Sequence, residues 1–140
     1  MLFKQQLTTY WAYLAGFIDR KGRLFIHDRL PKIAVKWHFS FMEREKAITF
    51  WHLMVEGQNL VPHILHVSDG PRTNYFPSFT VEQLDKVMPY LHPYSLKEDI
   101  SFYLEARRLS RKKRGEKIPT ELIQKRENLL TRWEIYKTNR

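Results

Sequence analysis

The sequence predicts an α+β domain in the order α-β-β-α-β-β-α, with further helices at the C-terminal end. Three observations predict it. From Ile33 to Phe41, apolar and polar residues alternate with a period of two, as in a strand with one buried face. Thr80 with Gln83, and Ser95 with Glu98, have capping-box spacing and open helices. The segments around Ala47 to Met54 and Leu122 to Trp133 carry apolar residues three and four apart.

The elements follow in order. Thr8 or Thr9 can cap a first helix running to about Asp19, and Gly22 ends it. A first strand places Leu24 and Ile26 on one face and Arg23, Phe25, His27 and Arg29 on the other. A turn over Asp28 to Lys32 contains Pro31. In the second strand Ile33, Val35, Trp37, Phe39 and Phe41 form an apolar face, opposite Lys32, Ala34, Lys36, His38 and Ser40. Glu43 to about Glu56 is a helix with Ala47, Phe50, Trp51 and Met54 on one side. A second hairpin spans about Leu60 to Val67 and Asn74 to Thr80, turned by Ser68-Asp69-Gly70-Pro71. Thr80 opens a helix to about Leu91, and Ser95 opens another to about Arg111. Arg111 to Lys117 is a basic link, Pro119 starts the last helix, and Leu122, Ile123, Leu129, Leu130 and Trp133 form its apolar stripe.

The chain has 140 residues, 43% of them hydrophobic, enough for one domain with a packed core. It has no cysteine, so disulfides and thiolate chemistry are excluded. No apolar run reaches membrane-span length and the N-terminus lacks a signal-peptide pattern, so an intracellular protein is expected, not a secreted or membrane one. The net charge is +9, and it is uneven. Ala106 to Arg140 holds 12 basic and 4 acidic residues, whereas residues 1–105 hold 12 and 11. Such a basic segment either attracts polyanions through counterion release or forms a solvated helical face. Arg111-Lys112-Lys113-Arg114 reads as a phosphate contact, a targeting patch or a solvated link. His63 and His66 lie three apart on a strand and point to opposite faces, which gives no zinc site, and no metal site is expected elsewhere. No P-loop, GxGxxG or Ser-His-Asp pattern is present.

Residues 13–22 read Tyr13-Leu14-Ala15-Gly16-Phe17-Ile18-Asp19-Arg20-Lys21-Gly22. This stretch resembles the LAGLIDADG motif of homing endonucleases, except at the motif's eighth position, where the family's metal-binding acid is replaced by Lys21. Motif and element order together resemble one LAGLIDADG core domain over roughly residues 7 to 110. The resemblance implies a DNA-binding core over residues 1–110, with a saddle-shaped antiparallel sheet, and a basic helical extension over 111–140 packed on the same domain. Single-motif members pair as homodimers. The resemblance therefore implies packing of two first helices through Ala12, Ala15 and Gly16, and a pseudo-palindromic double-stranded DNA site.

In the family the saddle lies in the major groove, where a two-stranded ribbon can read base edges. The implied reading residues are Arg23, Phe25, His27 and Arg29 on the first strand, and Lys32, Lys36, His38 and Ser40 on the second. Arg72, Asn74 and Phe76 join them from the second hairpin. Family members cut both strands with divalent metal held by the motif acid. A Lys21 ammonium repels such an ion and serves as a point charge on phosphate instead. The implied catalytic positions are thus Lys21 with Asp19, Glu43 and Lys97, in a site expected to bind DNA without cutting it and to need no cofactor. Two alternatives stay open. One is an active, Mg²⁺-dependent endonuclease with its metal shifted onto Asp19, and the other is an RNA-binding intron maturase.

Overall fold

A computed structural model of the chain describes the backbone of residues 2–29, 32–55, 67–69, 74–110 and 117–139, and their side chains except at 2–9, 29, 68 and 69. The order is α1 (Leu2–Lys21), β1 (Gly22–Arg29), β2 (Lys32–Phe39), α2 (Arg44–Met54), β3 (Val67–Asp69), β4 (Tyr75–Pro77), α3 (Val81–Leu91), a 3-10 turn (His92–Tyr94), α4 (Asp99–Ser110) and α5 (Thr120–Asn139). This is the anticipated alternation of helices and strand pairs. Residues 111–116 of the basic link, Gly70 and Pro71 of the turn, His63 and His66 lie outside the described residues. So do Leu60 to His66 of the second hairpin.

Two differences concern boundaries. α1 begins at Leu2, so Thr8 and Thr9 stand inside the helix rather than at its start. The preceding Leu, Lys and Gln residues are good helix formers with no Gly or Pro to interrupt them, and they outweigh the capping signal. Ser68 and Asp69 belong to β3 and not to a turn. Among the described strands the pairings are β1 with β2 and β3 with β4. The two residues between β1 and β2 are too few for a parallel crossover, so that pair is a hairpin. In the second sheet Val67 pairs with Pro77, Ser68 with Phe76 and Asp69 with Tyr75.

The chain divides into two compact units, one of residues 1–23 and 38–100, the other of 24–37 and 101–140. In the first unit Leu14, Ala15 and Ile18 on α1 are buried, as are Ala47, Phe50, Trp51 and Met54 on α2. Phe50 is central, with its ring 5.1 Å from Phe39, 5.2 Å from Phe41, 5.7 Å from Phe79 and 5.9 Å from Phe17. Burial of each such ring stabilises the fold by about 1.5–3 kcal/mol. Trp51 Nε1 donates to the Ser78 carbonyl at 3.1 Å, and the Tyr10 hydroxyl donates to the Leu53 carbonyl. Phe41 and Tyr75 exchange backbone hydrogen bonds of 3.0 and 2.8 Å, which tie the end of β2 to β4. The Thr80 capping box forms in full. Thr80 Oγ1 accepts from the Gln83 amide at 3.1 Å and Gln83 Oε1 accepts from the Thr80 amide at 2.9 Å.

In the second unit Leu24, Ile26, Ile33 and Trp37 of the hairpin are buried. So are Phe102, Tyr103 and Ala106 on α4 and Leu129, Leu130 and Trp133 on α5, whereas Leu122 and Ile123 are half-buried. Phe102 lies 5.3 Å from Trp133 and 5.2 Å from Tyr136, and Trp37 lies 6.0 Å from Tyr103. Arg126 is only 2% exposed, which the stripe pattern did not anticipate. Its Nε and Nη2 donate to the Leu109 carbonyl at 2.9 and 2.6 Å, so a cation satisfies one of the orphan carbonyls at the end of α4. Burial lowers the Arg126 pKa from its usual value. Arg132 grips Glu105 through two parallel bonds of 3.1 and 2.5 Å, and that hydrogen bonding raises its pKa further.

Candidate nucleic-acid interface

The end of α1 is built by the motif residues themselves. Gly22 follows the last helical residue and opens β1. A Cβ there would lie 2.7 Å from Phe39 Cε1 and 2.8 Å from the Ile18 carbonyl oxygen, so only glycine lets helix, strand and the Phe39 ring meet this closely. The Ser40 amide donates to the Lys21 carbonyl at 3.3 Å, which fixes the chain after β2 against the helix end.

Three motif side chains then diverge in role. Ile18 is buried. Asp19 is half-buried, and both of its oxygens are engaged. Oδ1 accepts from the Ser95 hydroxyl at 2.6 Å and Oδ2 accepts from the Leu96 amide at 2.8 Å. The Lys97 amide in turn donates to Ser95 Oγ at 3.3 Å. Ser95 is thus an anchor for Asp19 and not the cap of α4, which starts four residues later at Asp99. Lys21 is half-exposed, with Nζ 5.9 Å from the centre of the Phe41 ring, at the outer limit of a cation–π contact.

The other two anticipated catalytic positions are exposed. Glu43 takes the N-cap position of α2 in extended conformation, with no side-chain cap bond, and pairs with Lys46 at 3.7 Å. Both side chains are about two-thirds exposed, so the pair contributes little. Lys97 is exposed and is joined to Asp19 through the Ser95 turn. Among the described residues no three of His, Cys, Asp and Glu gather closely enough to hold a metal ion.

The anticipated reading residues fall into both units. In the first, Arg23 is exposed, and His38, Ser40, Asn74 and Phe76 are half-buried, with the His38 ring 4.8 Å from Phe76. In the second, Phe25, His27, Lys32 and Lys36 are exposed, opposite the buried Leu24, Ile26, Ile33 and Trp37. The strands adopt the alternation read from the sequence except at Val35, which is only half-buried, like Ala34 on the opposite face. Arg72 lies outside the described residues, and for Arg29 only the backbone is described. Of the three small residues on α1, Ala12 and Gly16 are exposed, one turn apart, and the site of a Gly16 Cβ is open space. Ala15 is fully buried. Tyr13, beside them, is 56% exposed. Sequence reasoning missed Ser95 and Phe41 as partners of Asp19 and Lys21, because both contacts are long-range and no local spacing signals them.

No family model matches the sequence, and no curated protein matches it. Among solved structures the chain is similar to the homing endonuclease I-CvuI, in a crystal structure described as its complex with the I-CreI target in the presence of Mg, the DNA not cleaved. The likeness covers 91% of this chain and 96% of that one, at 14% identity and a TM-score of 0.48. A likeness this weak carries no weight for fold or activity. Among the described residues no helix is long and apolar enough to cross a membrane.

Proposed function

We propose that the chain is a LAGLIDADG-type protein that binds double-stranded DNA sequence-specifically as a homodimer and leaves it uncut. The observation that carries this reading is the chemistry at the end of α1. Lys21 brings an ammonium to the motif's acid position, and the one remaining motif carboxylate, Asp19, has both oxygens hydrogen-bonded to Ser95 and Leu96. Mg²⁺ takes carboxylate oxygens in near-octahedral geometry. Lys21, the engaged Asp19 and the Lys46-paired Glu43 do not fit it, and no hydrolytic step follows from these residues. A metal shifted onto Asp19 would have to share its oxygens with the Ser95 and Leu96 bonds.

Binding rests on other groups. The exposed side of the β1-β2 hairpin offers His27, Lys32 and Lys36 from the second unit, and Arg23 is exposed in the first. Arg and Lys pair with guanine O6 and N7 or with phosphate, and such contacts release counterions. A dimer through the exposed Ala12 and Gly16 faces of two α1 helices would bring two Lys21 side chains to one axis, as point charges for phosphate. The experiment is a gel shift and cleavage assay on a selected duplex with Mg²⁺ and Mn²⁺, comparing the native chain with Lys21→Asp. The native chain should shift the duplex and leave it intact, and Lys21→Asp should gain metal-dependent cutting. Double-strand cleavage by the native chain overturns the reading.

A further inference from the structure

Leu96, Lys97 and Glu98 lie between the 3-10 turn and α4, outside any helix or strand, and all three are exposed, Leu96 by 95%. Burial of their own side chains therefore does not hold this turn in place. Hydrogen bonds tie it to Asp19, in the last turn of α1. Asp19 Oδ2 accepts from the Leu96 amide at 2.8 Å, Oδ1 accepts from the Ser95 hydroxyl at 2.6 Å, and Ser95 Oγ accepts from the Lys97 amide at 3.3 Å. One carboxylate thus fixes the backbone up to Lys97, through bonds that its charge strengthens. The exposed Lys97 is brought to the end of α1, where Arg20 and Lys21 stand. We propose that Asp19 is a positioning residue for DNA binding: through Ser95 and Leu96 it holds Lys97 ready to meet backbone phosphate alongside Lys21.

The inference rests on the DNA reading above and gives Asp19 a part in it. By charge alone a carboxylate here is unfavourable, because it weakens the positive potential that phosphate meets. Its benefit comes from order. A lysine on a loose turn loses backbone freedom when it grips phosphate, and a turn fixed beforehand avoids that loss. Charge and position therefore predict different outcomes for the same pair of substitutions. Asp19→Ala and Asp19→Asn both remove the negative charge. Ala also removes both acceptors. Asn keeps an oxygen for the Leu96 amide and offers an NH2 group to Ser95 Oγ, so it preserves the tie.

The test titrates a selected DNA duplex with the full native chain and its variants over a range of salt, with urea unfolding to establish that each is folded under the binding conditions. Lys97→Ala should weaken binding about fivefold and lower the salt slope by about 1. Asp19→Ala should do the same although it makes the chain more positive, whereas Asp19→Asn should bind at least as tightly as the native chain. Adding Asp19→Ala to Lys97→Ala should cause no further loss. Ser95→Ala leaves the charge unchanged and should also weaken binding and lower the slope, which keeps the test decisive if Asp19→Ala does not fold. Equal affinities for Asp19→Ala and Asp19→Asn, an equal loss from Asp19→Ala with and without Lys97, or unchanged binding by Ser95→Ala overturns the proposal and leaves the DNA reading standing. A native chain that binds no duplex sinks both.

Discussion

Gly22 and Gly16 are both motif glycines on or next to α1, yet substitution should act on them in opposite directions. At Gly22 a methyl group meets the Ile18 carbonyl oxygen at 2.8 Å and the Phe39 ring at 2.7 Å, and neither can retreat without moving the helix end or the core. Gly22→Ala should cost about 1–3 kcal/mol in urea unfolding. At Gly16 nothing lies within 4 Å, and the residue is in a helix interior. Gly16→Ala should stabilise the isolated chain by about 0.5–1 kcal/mol, measured at concentrations that keep it monomeric. A loss at Gly16 under those conditions would mean that the helix surface is already covered by its own chain. The identity of these residues was legible in the motif, but the sign of each effect was not, because it depends on Phe39, 17 residues beyond Gly22.

Elements were legible where their signals were local. The Thr80–Gln83 capping box and, Val35 apart, the period-two alternation of β1 and β2 appear as read, since both depend on residues a few positions apart. The second apparent box, at Ser95, does not form as read: α4 starts only at Asp99, the Ser95 oxygen accepts from the Lys97 amide, and its hydroxyl donates to Asp19, 76 residues away. The start of α1 was misplaced at Thr8 or Thr9 because helix propensity upstream carries the helix back to Leu2. On α5, Arg126 breaks the expected rule that cations face solvent. It closes the end of α4 through the Leu109 carbonyl, and its removal leaves that carbonyl without this donor. Arg126→Met, which keeps the apolar stem, should destabilise the fold by about 1–3 kcal/mol in thermal or urea unfolding. Arg132→Ala should cost less than about 1 kcal/mol, because its ion pair with Glu105 is partly exposed to water.

At the scale of the whole molecule the charge balance and the motif converge. A net charge of +9, concentrated in the last 35 residues, suits a polyanion partner, and on the proposed reading the hairpin supplies the groups that read bases. The sequence revealed the order of elements. It concealed how contacts partition the chain into two units, since this depends on long-range packing. Duplex affinity should fall steeply as salt rises, with log affinity linear in log salt and a slope set by the number of phosphates contacted. The most direct measurement is a titration of a selected DNA duplex with the native chain in Mg²⁺, reading the bound fraction and the integrity of both strands in the same samples. A saturable, salt-sensitive shift with both strands whole is the expected result. A shift accompanied by metal-dependent breaks, or no shift at any salt concentration, would contradict it.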